Sequence, residues 1–382
     1  MTSTPIEYNI FATGTSSYPR SVMTGAIATN STEQSKSIFD IYVYGVEPQK
    51  VTNNITIKGY IPMDDTGHPR PTKDSGNITA PEVDTEELTL ISQKIESVPD
   101  GYKVNLIIED TFARNSSKLL TEAALERLQS ITIVLEGSGA LNPKSYRLMQ
   151  TVNLAKQAED FGVPEFNIQV FSSVNTDILA NGNGDTIVEN KYWKSILESN
   201  YITIKLTDFD SISRNINTEK EISALEKMMA AYGYDFSTAF VPSHKFDHKK
   251  KLLVFFGSSR IGDQDTEENR QGANFNNVKL LDYYLNTPEI ADNYNVAVKP
   301  HPRLAWINKH IEDKGIDASY FSSMPYELLA IAGGKKINGV DIPVIDRVDS
   351  TYSTILYSVE KSKINAIIDY SPYTASLRVM SQ

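Results

Sequence analysis

Leu252-Leu253-Val254-Phe255-Phe256-Gly257-Ser258-Ser259 is the stretch that decides the fold. An unbroken apolar run followed by small residues reads as a buried strand that turns at Gly257. Behind it, Asn276–Tyr284 has helical spacing, Val296–Val298 is strand-like, and Leu304–Asp313 and Pro325–Ala332 are helical. Ile342–Ile345 reads as a strand, Ser353–Val359 as a helix and Asn365–Ile368 as a last strand. Strands alternating with helices build a parallel sheet with helices covering it.

Toward the N-terminus the same grammar appears once before. Strand-like runs fall at Tyr8–Ala12, Phe39–Tyr44, Val104–Ile108, Ile131–Leu135, Phe166–Phe171 and Ile202–Leu206. Helical stretches fall at Glu86–Ile95, Ser117–Leu128, Ser145–Phe161 and Lys191–Glu198. Residues 48–85, rich in Pro, Gly, Asn and Asp, predict an inserted loop. Helical Glu219–Tyr232 leads into the polar, basic linker Pro242–Lys251. The expected fold is therefore α/β, with two Rossmann-like domains, 1–240 and 241–382, facing across a cleft in the GT-B manner. Ligands of parallel sheets sit beyond the strand carboxyl ends. The loops after Phe256, Val298 and Ile345 are thus expected to open toward the site.

Composition narrows the chemistry. The 382 residues carry a formal charge of −11, which opposes general nucleic-acid binding because phosphate backbones need clustered Lys and Arg. A single nucleotide needs only a few donors and is not excluded. The absence of Cys removes disulfides, thiolate metal sites and cysteine nucleophiles together. Met-Thr-Ser-Thr-Pro-Ile-Glu lacks the regions of a signal peptide, and no apolar run reaches the ~20 residues of a spanning helix. A cytoplasmic protein is expected, with peripheral attachment at the inner membrane left open.

The densest chemistry is Lys299-Pro300-His301-Pro302-Arg303 at a strand exit, followed by Glu327 and by Ser353-Thr354. His301, one of five histidines, is placed to act as an acid near neutral pH; a turn histidine with no role is the competing reading. Pro302 suits a helix first turn. A second His-Pro-Arg, at His68-Pro69-Arg70, has no strand delivering it and reads as solvated loop. Ser353 and Thr354 at a helix start could seat a phosphate or serve as an ordinary N-cap. Glu327 opens the helix Tyr-Glu-Leu-Leu-Ala, where it could accept hydrogen bonds from a ribose or base, or merely cap at the surface. Glu136-Gly137-Ser138-Gly139 ends another strand and offers a general base beside small residues that permit close approach. An exposed Glu in a glycine turn would look the same. Asp208-Phe209-Asp210 could hold a divalent metal and a nucleotide diphosphate, against N-capping by Asp210 or Ser211, which is preferred. Walker, His-Glu-x-x-His and Gly-x-Ser-x-Gly motifs are all missing.

In this order the motifs resemble the bacterial sialyltransferases of glycosyltransferase family 80. That family carries Asp-Asp-Gly-Ser, Lys-Gly-His-Pro, Phe-Glu-Val-Leu and Ser-Ser-Leu-Tyr. The matching stretches are Leu135-Glu136-Gly137-Ser138, Lys299-Pro300-His301-Pro302, Tyr326-Glu327-Leu328-Leu329 and Ser353-Thr354-Ile355-Leu356-Tyr357. Phe255-Phe256-Gly257-Ser258-Ser259 is similar to the family's opening of the second domain, and the resemblance spans about Asn105–Asn142 and Lys251–Tyr370.

The resemblance implies inverting, metal-independent transfer of sialic acid from CMP-sialic acid to a glycan hydroxyl in bacterial glycan synthesis, a galactoside being the expected acceptor, with no cofactor. It makes Glu136 the base and His301 the acid at the departing phosphate. Ser353, Thr354 and Lys299 hold that phosphate, Glu327 recognises the cytidine, and Pro302, Gly257 and Ser258 complete the donor side. Gly137, Ser138 and Arg114 fall on the acceptor or sugar side. Leu135 replaces the family's first Asp, Thr354 its second Ser, and Arg260-Ile261 an aromatic position. Donor chemistry therefore carries over better than acceptor identity. Two other readings stand beside it: a metal-dependent nucleotide-diphosphate glycosyltransferase using Asp208 and Asp210, and a module that binds nucleotide or glycan without turnover.

Overall fold

The computed structural model describes residues 6–14, 17–30, 37–43, 45–59, 85–113, 120–135, 146–171, 191–241, 247, 249–257, 266–299, 306–321, 324–350, 363–369 and 378–380. Two units emerge: Met1–Thr207 with Ile216–Tyr232, and Asp208–Asn215 with Gly233–Gln382. The sequence reading has a single boundary near residue 240, whereas the chain passes between the units at 207/208, 215/216 and 232/233.

The first unit runs β1 (Ile6–Thr13), α1 (Ser17–Thr29), β2 (Ile38–Val43), β3 (Gln49–Lys50), β4 (Ile55–Ile57), α2 (Thr85–Ser97), β5 (Tyr102–Glu109), α3 (Asp110–Ala113), α4 (Glu122–Arg127), β6 (Leu128–Val134), α5 (Tyr146–Asp160), β7 (Glu165–Phe171), α6 (Lys191–Glu198) and β8 (Ile202–Thr207). The sheet order is β3-β4-β2-β1-β5-β6-β7-β8, parallel except where β3 joins β4. From Tyr8 to Thr13 every residue of β1 is buried, as a central parallel strand covered on both faces requires. Part of the expected 48–85 loop is sheet. Ile55 and Ile57 are buried with Thr56 half-buried between them, and this short β-branched run pairs with β2 despite its turn-rich surroundings.

From β8 the chain enters the second unit with α7 (Phe209–Asn215) and returns to the first with α8 (Glu219–Ala231). A capping box starts α8: Thr218 Oγ1 accepts from Glu221 N–H at 3.2 Å, and Glu221 Oε2 accepts from Thr218 N–H at 2.9 Å. The rest of the second unit is β9 (Phe240–Val241), β10 (Lys251–Phe256), α9 (Glu267–Asn286), α10 (Pro288–Ala291), β11 (Tyr294–Lys299), α11 (Trp306–Lys314), β12 (Ser319–Phe321), α12 (Tyr326–Ala332), β13 (Lys336–Ile337), β14 (Val340–Asp341), β15 (Ile345–Ser350), β16 (Ile364–Asp369) and β17 (Arg378–Met380). Its main sheet is ordered β17-β16-β15-β10-β11-β12-β9, with β10, β11, β12, β15 and β16 parallel and the edge strands β9 and β17 antiparallel. Leu253 and Phe255 of β10 pack with Leu280, Leu281 and Tyr284 of α9 and Ile307 and Ile311 of α11.

Two expectations need correction here. The strand expected at Ile342–Ile345 begins only at Ile345 and runs through the polar stretch to Ser350. It is tolerated in the sheet centre because its charges are matched. Arg347 reaches Asp349 through Nε at 3.2 Å and Nη2 at 2.8 Å, and the Tyr284 hydroxyl donates to Asp349 Oδ2 at 2.8 Å. Asp349 itself is fully buried. The helix expected at Asn276 begins earlier, at Glu267, where Thr266 Oγ1 caps Asn269 N–H at 3.2 Å.

Replacing one member of a buried pair strands the other. Asp349→Ala should cost ~3–5 kcal/mol, read as a lower urea midpoint, and Tyr284→Phe should cost ~1–3 kcal/mol.

Candidate functional site

In the second sheet the chain steps from β10 to β11 and β12 on one side, then returns to place β15 and β16 on the other. The switch point therefore lies between β10 and β15, and ligands of such sheets bind beyond the carboxyl ends there. In register, Phe256 pairs with Lys299 of β11 and with Ser350 of β15. Parallel pairing thus delivers Gly257, Lys299 and Ser350 to one edge.

Gly257 follows directly, its N–H donating to the Lys299 carbonyl at 3.2 Å. A Cβ at this position would lie 3.1 Å from Asn277 Nδ2 and 3.3 Å from Asn277 Oδ1. Glycine is therefore what lets the buried Asn277 of α9 close against the strand exit. Asn277 had no signal in the sequence, since it sits inside a polar helix with no distinguishing neighbour.

Lys299 is half-buried, and its Nζ donates to the Met324 carbonyl at 3.3 Å. Burial pulls the ammonium below the usual lysine range, and the charge of Glu327 pushes it back up. Glu327 stands in the first turn of α12, whose N-cap is Pro325 with no side-chain cap bond. It is only 3% exposed, so surface capping does not describe it. Tyr326, the preceding residue, sets its ring edge-on to Phe256 at 5.0 Å, which anchors the start of α12 to β10. A cation and a carboxylate thus share one partly dehydrated corner at the carboxyl edge.

Among the sequence-predicted residues, Ser258, His301, Pro302, Ser353 and Thr354 lie outside the described residues, as do Arg114, Glu136, Gly137 and Ser138. In sequence, Ser258 comes two residues after β10, His301 two after β11 and Ser353 three after β15. In the first unit, Leu135 is buried at the end of β6 and its N–H donates to the Gln169 carbonyl at 3.1 Å.

Asp208 and Asp210 are occupied locally. Asp208 Oδ1 accepts from the N–H groups of Asp210 at 3.0 Å and Ser211 at 3.2 Å, and its Oδ2 lies 3.5 Å from Arg214. Asp208 is therefore the residue that caps α7, in place of the expected Asp210 or Ser211. Asp210 is ion-paired with Lys363. No group of three or more His, Cys, Asp or Glu side chains suited to a metal occurs among the described residues.

No protein-family model matches the chain, and no curated protein sequence matches it. Solved structures do. A sialyltransferase from Photobacterium damsela superposes with a TM-score of 0.52 at 13% identity, over 94% of this chain and 74% of that one. The GT-B domain of a Photobacterium damselae sialyltransferase gives 0.53 at 13% identity, over 94% and 90%. The fold is the GT-B fold. A 2,6-sialyltransferase from Photobacterium sp. JT-ISH-224, solved with the donor product CMP and the acceptor lactose, gives 0.52 at 12% identity, over 94% and 70%. At such identities the GT-B likeness speaks for architecture, and the chemistry has to be read from residues. No helix among the described residues is long and apolar enough to cross a membrane.

Gly257→Ala should destabilise the protein by ~1–3 kcal/mol through overpacking against Asn277. Most of that loss should vanish in the Gly257→Ala/Asn277→Ala pair, a coupling read from a double-mutant cycle of urea melts.

Proposed function

We propose that the protein is an inverting glycosyltransferase that moves sialic acid from CMP-sialic acid to a sugar hydroxyl, a galactoside being the expected acceptor. The observation that carries this reading is that the buried carboxylate of Glu327 acts on the charge of Lys299 where Lys299 ends β11, in register with the last residue of β10 before Gly257. Both belong to motifs that resemble family 80 in order; Lys299 ends β11, which pairs with β10 beside the switch point, and Glu327 opens α12.

In this reading the second unit takes the donor. Lys299 supplies positive charge to the monophosphate, and Glu327 accepts hydrogen bonds from the cytidine. Ser353 and Thr354 offer hydroxyls to the phosphate, and Ser258 and Pro302 border it. His301 gives a proton or hydrogen bond to the phosphate oxygen as the bond to the sugar breaks. The first unit takes the acceptor, where Glu136 removes the hydroxyl proton as that oxygen attacks, with Gly137, Ser138 and Arg114 alongside. Carbon–oxygen bond formation and loss of CMP are then balanced, one proton leaving the acceptor and one reaching the phosphate. General acid and base catalysis each contribute ~10²–10⁴ in rate, and stabilisation of the leaving phosphate adds to this. No step calls for a metal.

CMP should raise the melting temperature more than UDP or GDP does, since only a ligand of the native state stabilises it. CMP release from CMP-sialic acid should persist in EDTA. Glu136→Ala and His301→Ala should each slow transfer by at least ~10²-fold. Loss of activity in EDTA with recovery on adding Mn²⁺ would replace this reading with a metal-dependent one. Tight CMP binding without turnover across a broad acceptor panel would leave a binding module.

A further inference from the structure

The basic linker that precedes β10 has no part in the donor chemistry above, and it ends at a cavity. Lys249, Lys251, Asp341, Pro343, Val344 and Asp346 line a space of about 410 Å³, within the roughly 300–1,000 Å³ of small-molecule sites. Lys251 opens β10 and Phe256 closes it. At ~3.3 Å per residue the strand sets this cavity on the order of 16 Å from the edge where Gly257 and Lys299 lie. It is therefore a separate place in the second unit, at the amino end of the sheet.

The backbone that carries these groups is held in place. Asn295 of β11 fixes the linker: its Oδ1 accepts from Asp247 N–H at 2.8 Å, and its Nδ2 donates to the Asp247 carbonyl at 2.7 Å and the Lys250 carbonyl at 3.3 Å. The β13–β14 hairpin turns through Asn338 and Gly339, at φ 49° and 81°, the left-handed pair that suits a two-residue hairpin loop. Beyond it, Ile342 N–H donates to the Lys335 carbonyl at 2.8 Å, which sets the course of Asp341–Val344. Asp346 accepts from the Tyr294 hydroxyl at 2.9 Å and lies 3.1 Å from Lys251 Nζ, and Lys250 Nζ donates to the Ala291 carbonyl at 2.7 Å. Two charges of the lining are left over. Among the described residues nothing bonds to the Lys249 ammonium or the Asp341 carboxylate. Lys249 can answer an anion. Asp341 can accept from hydroxyls, and it repels a second negative charge, which disfavours polyphosphates. Pro343 and the 55% exposed Val344 offer aliphatic surface to the C–H face of a ring. A singly charged ring rich in hydroxyls matches all three demands, and a fixed frame lowers the cost of holding it.

We propose that this cavity is a second ligand site, which takes an acidic sugar: Lys249 holds the carboxylate, Asp341 the hydroxyls, and Pro343 with Val344 the ring face. The assignment stands apart from the transferase reading and does not need it. The test is a ligand-observed NMR titration of the full chain with glucuronic acid, galacturonic acid and N-acetylneuraminic acid, with glucose and galactose as neutral counterparts, repeated in saturating CMP. At least one acidic sugar should bind saturably, ~10-fold or more tighter than the neutral sugars. Lys249→Ala and Asp341→Asn should each weaken that binding by ~10-fold or more, with the melting temperature unchanged because both side chains are exposed. CMP should shift the affinity by less than twofold. Absence of saturable binding by all three acids, equal affinity for acidic and neutral sugars, an affinity that either substitution leaves unaltered, or competition by CMP overturns the proposal. None of these results bears on CMP release from CMP-sialic acid, so the transferase reading stands or falls by its own assays.

Discussion

Parallel strands end together, and that constraint places the chemistry of the second unit. Phe256 lies in register with Lys299 on one flank and Ser350 on the other, so three chain segments distant in sequence leave the sheet at one edge. Such a sheet must be covered on both faces, and the covering helices are what carry Asn277 and Glu327 to that edge. The Tyr326 ring on Phe256 and the Gly257 contact with Asn277 are packing events.

The residues at that edge are costly to bury. A carboxylate taken out of water is penalised unless matched, and the ammonium of Lys299 has a carbonyl and the field of Glu327 to compensate it. A lysine whose proton is already loosened by burial gains most from a nearby anion, because the anion restores the charge interaction that water no longer supplies. Asp349, a few residues along the chain from the Ser353 connection, shows the contrasting case. Its charge is fully answered by Arg347 and Tyr284, so it stabilises the sheet centre and has nothing left to offer a ligand.

Legibility in the sequence followed the range of the interaction. β1, β5, β6, β7, β10 and β11 were readable because apolar, β-branched runs announce a buried strand locally. β15 was misplaced because Ile-Asp-Arg-Val-Asp-Ser looks like a solvated turn, and its licence to be buried comes from a tyrosine 65 residues away in sequence. β4 was hidden by the turn-forming residues around it. At the site, Lys299 and Glu327 were readable as motif members. The burial of Glu327 was not, since a glutamate in a helix first turn is usually at the surface. The bonds from Thr13 and Gly14 to Glu109 were not legible because they depend on β1 pairing with β5, and no local pattern records which strands become neighbours.

The edge of the second sheet carries a cation of its own, Lys299 at the end of β11. The start of a helix favours negative ligands. At the second unit Lys299 reinforces that preference.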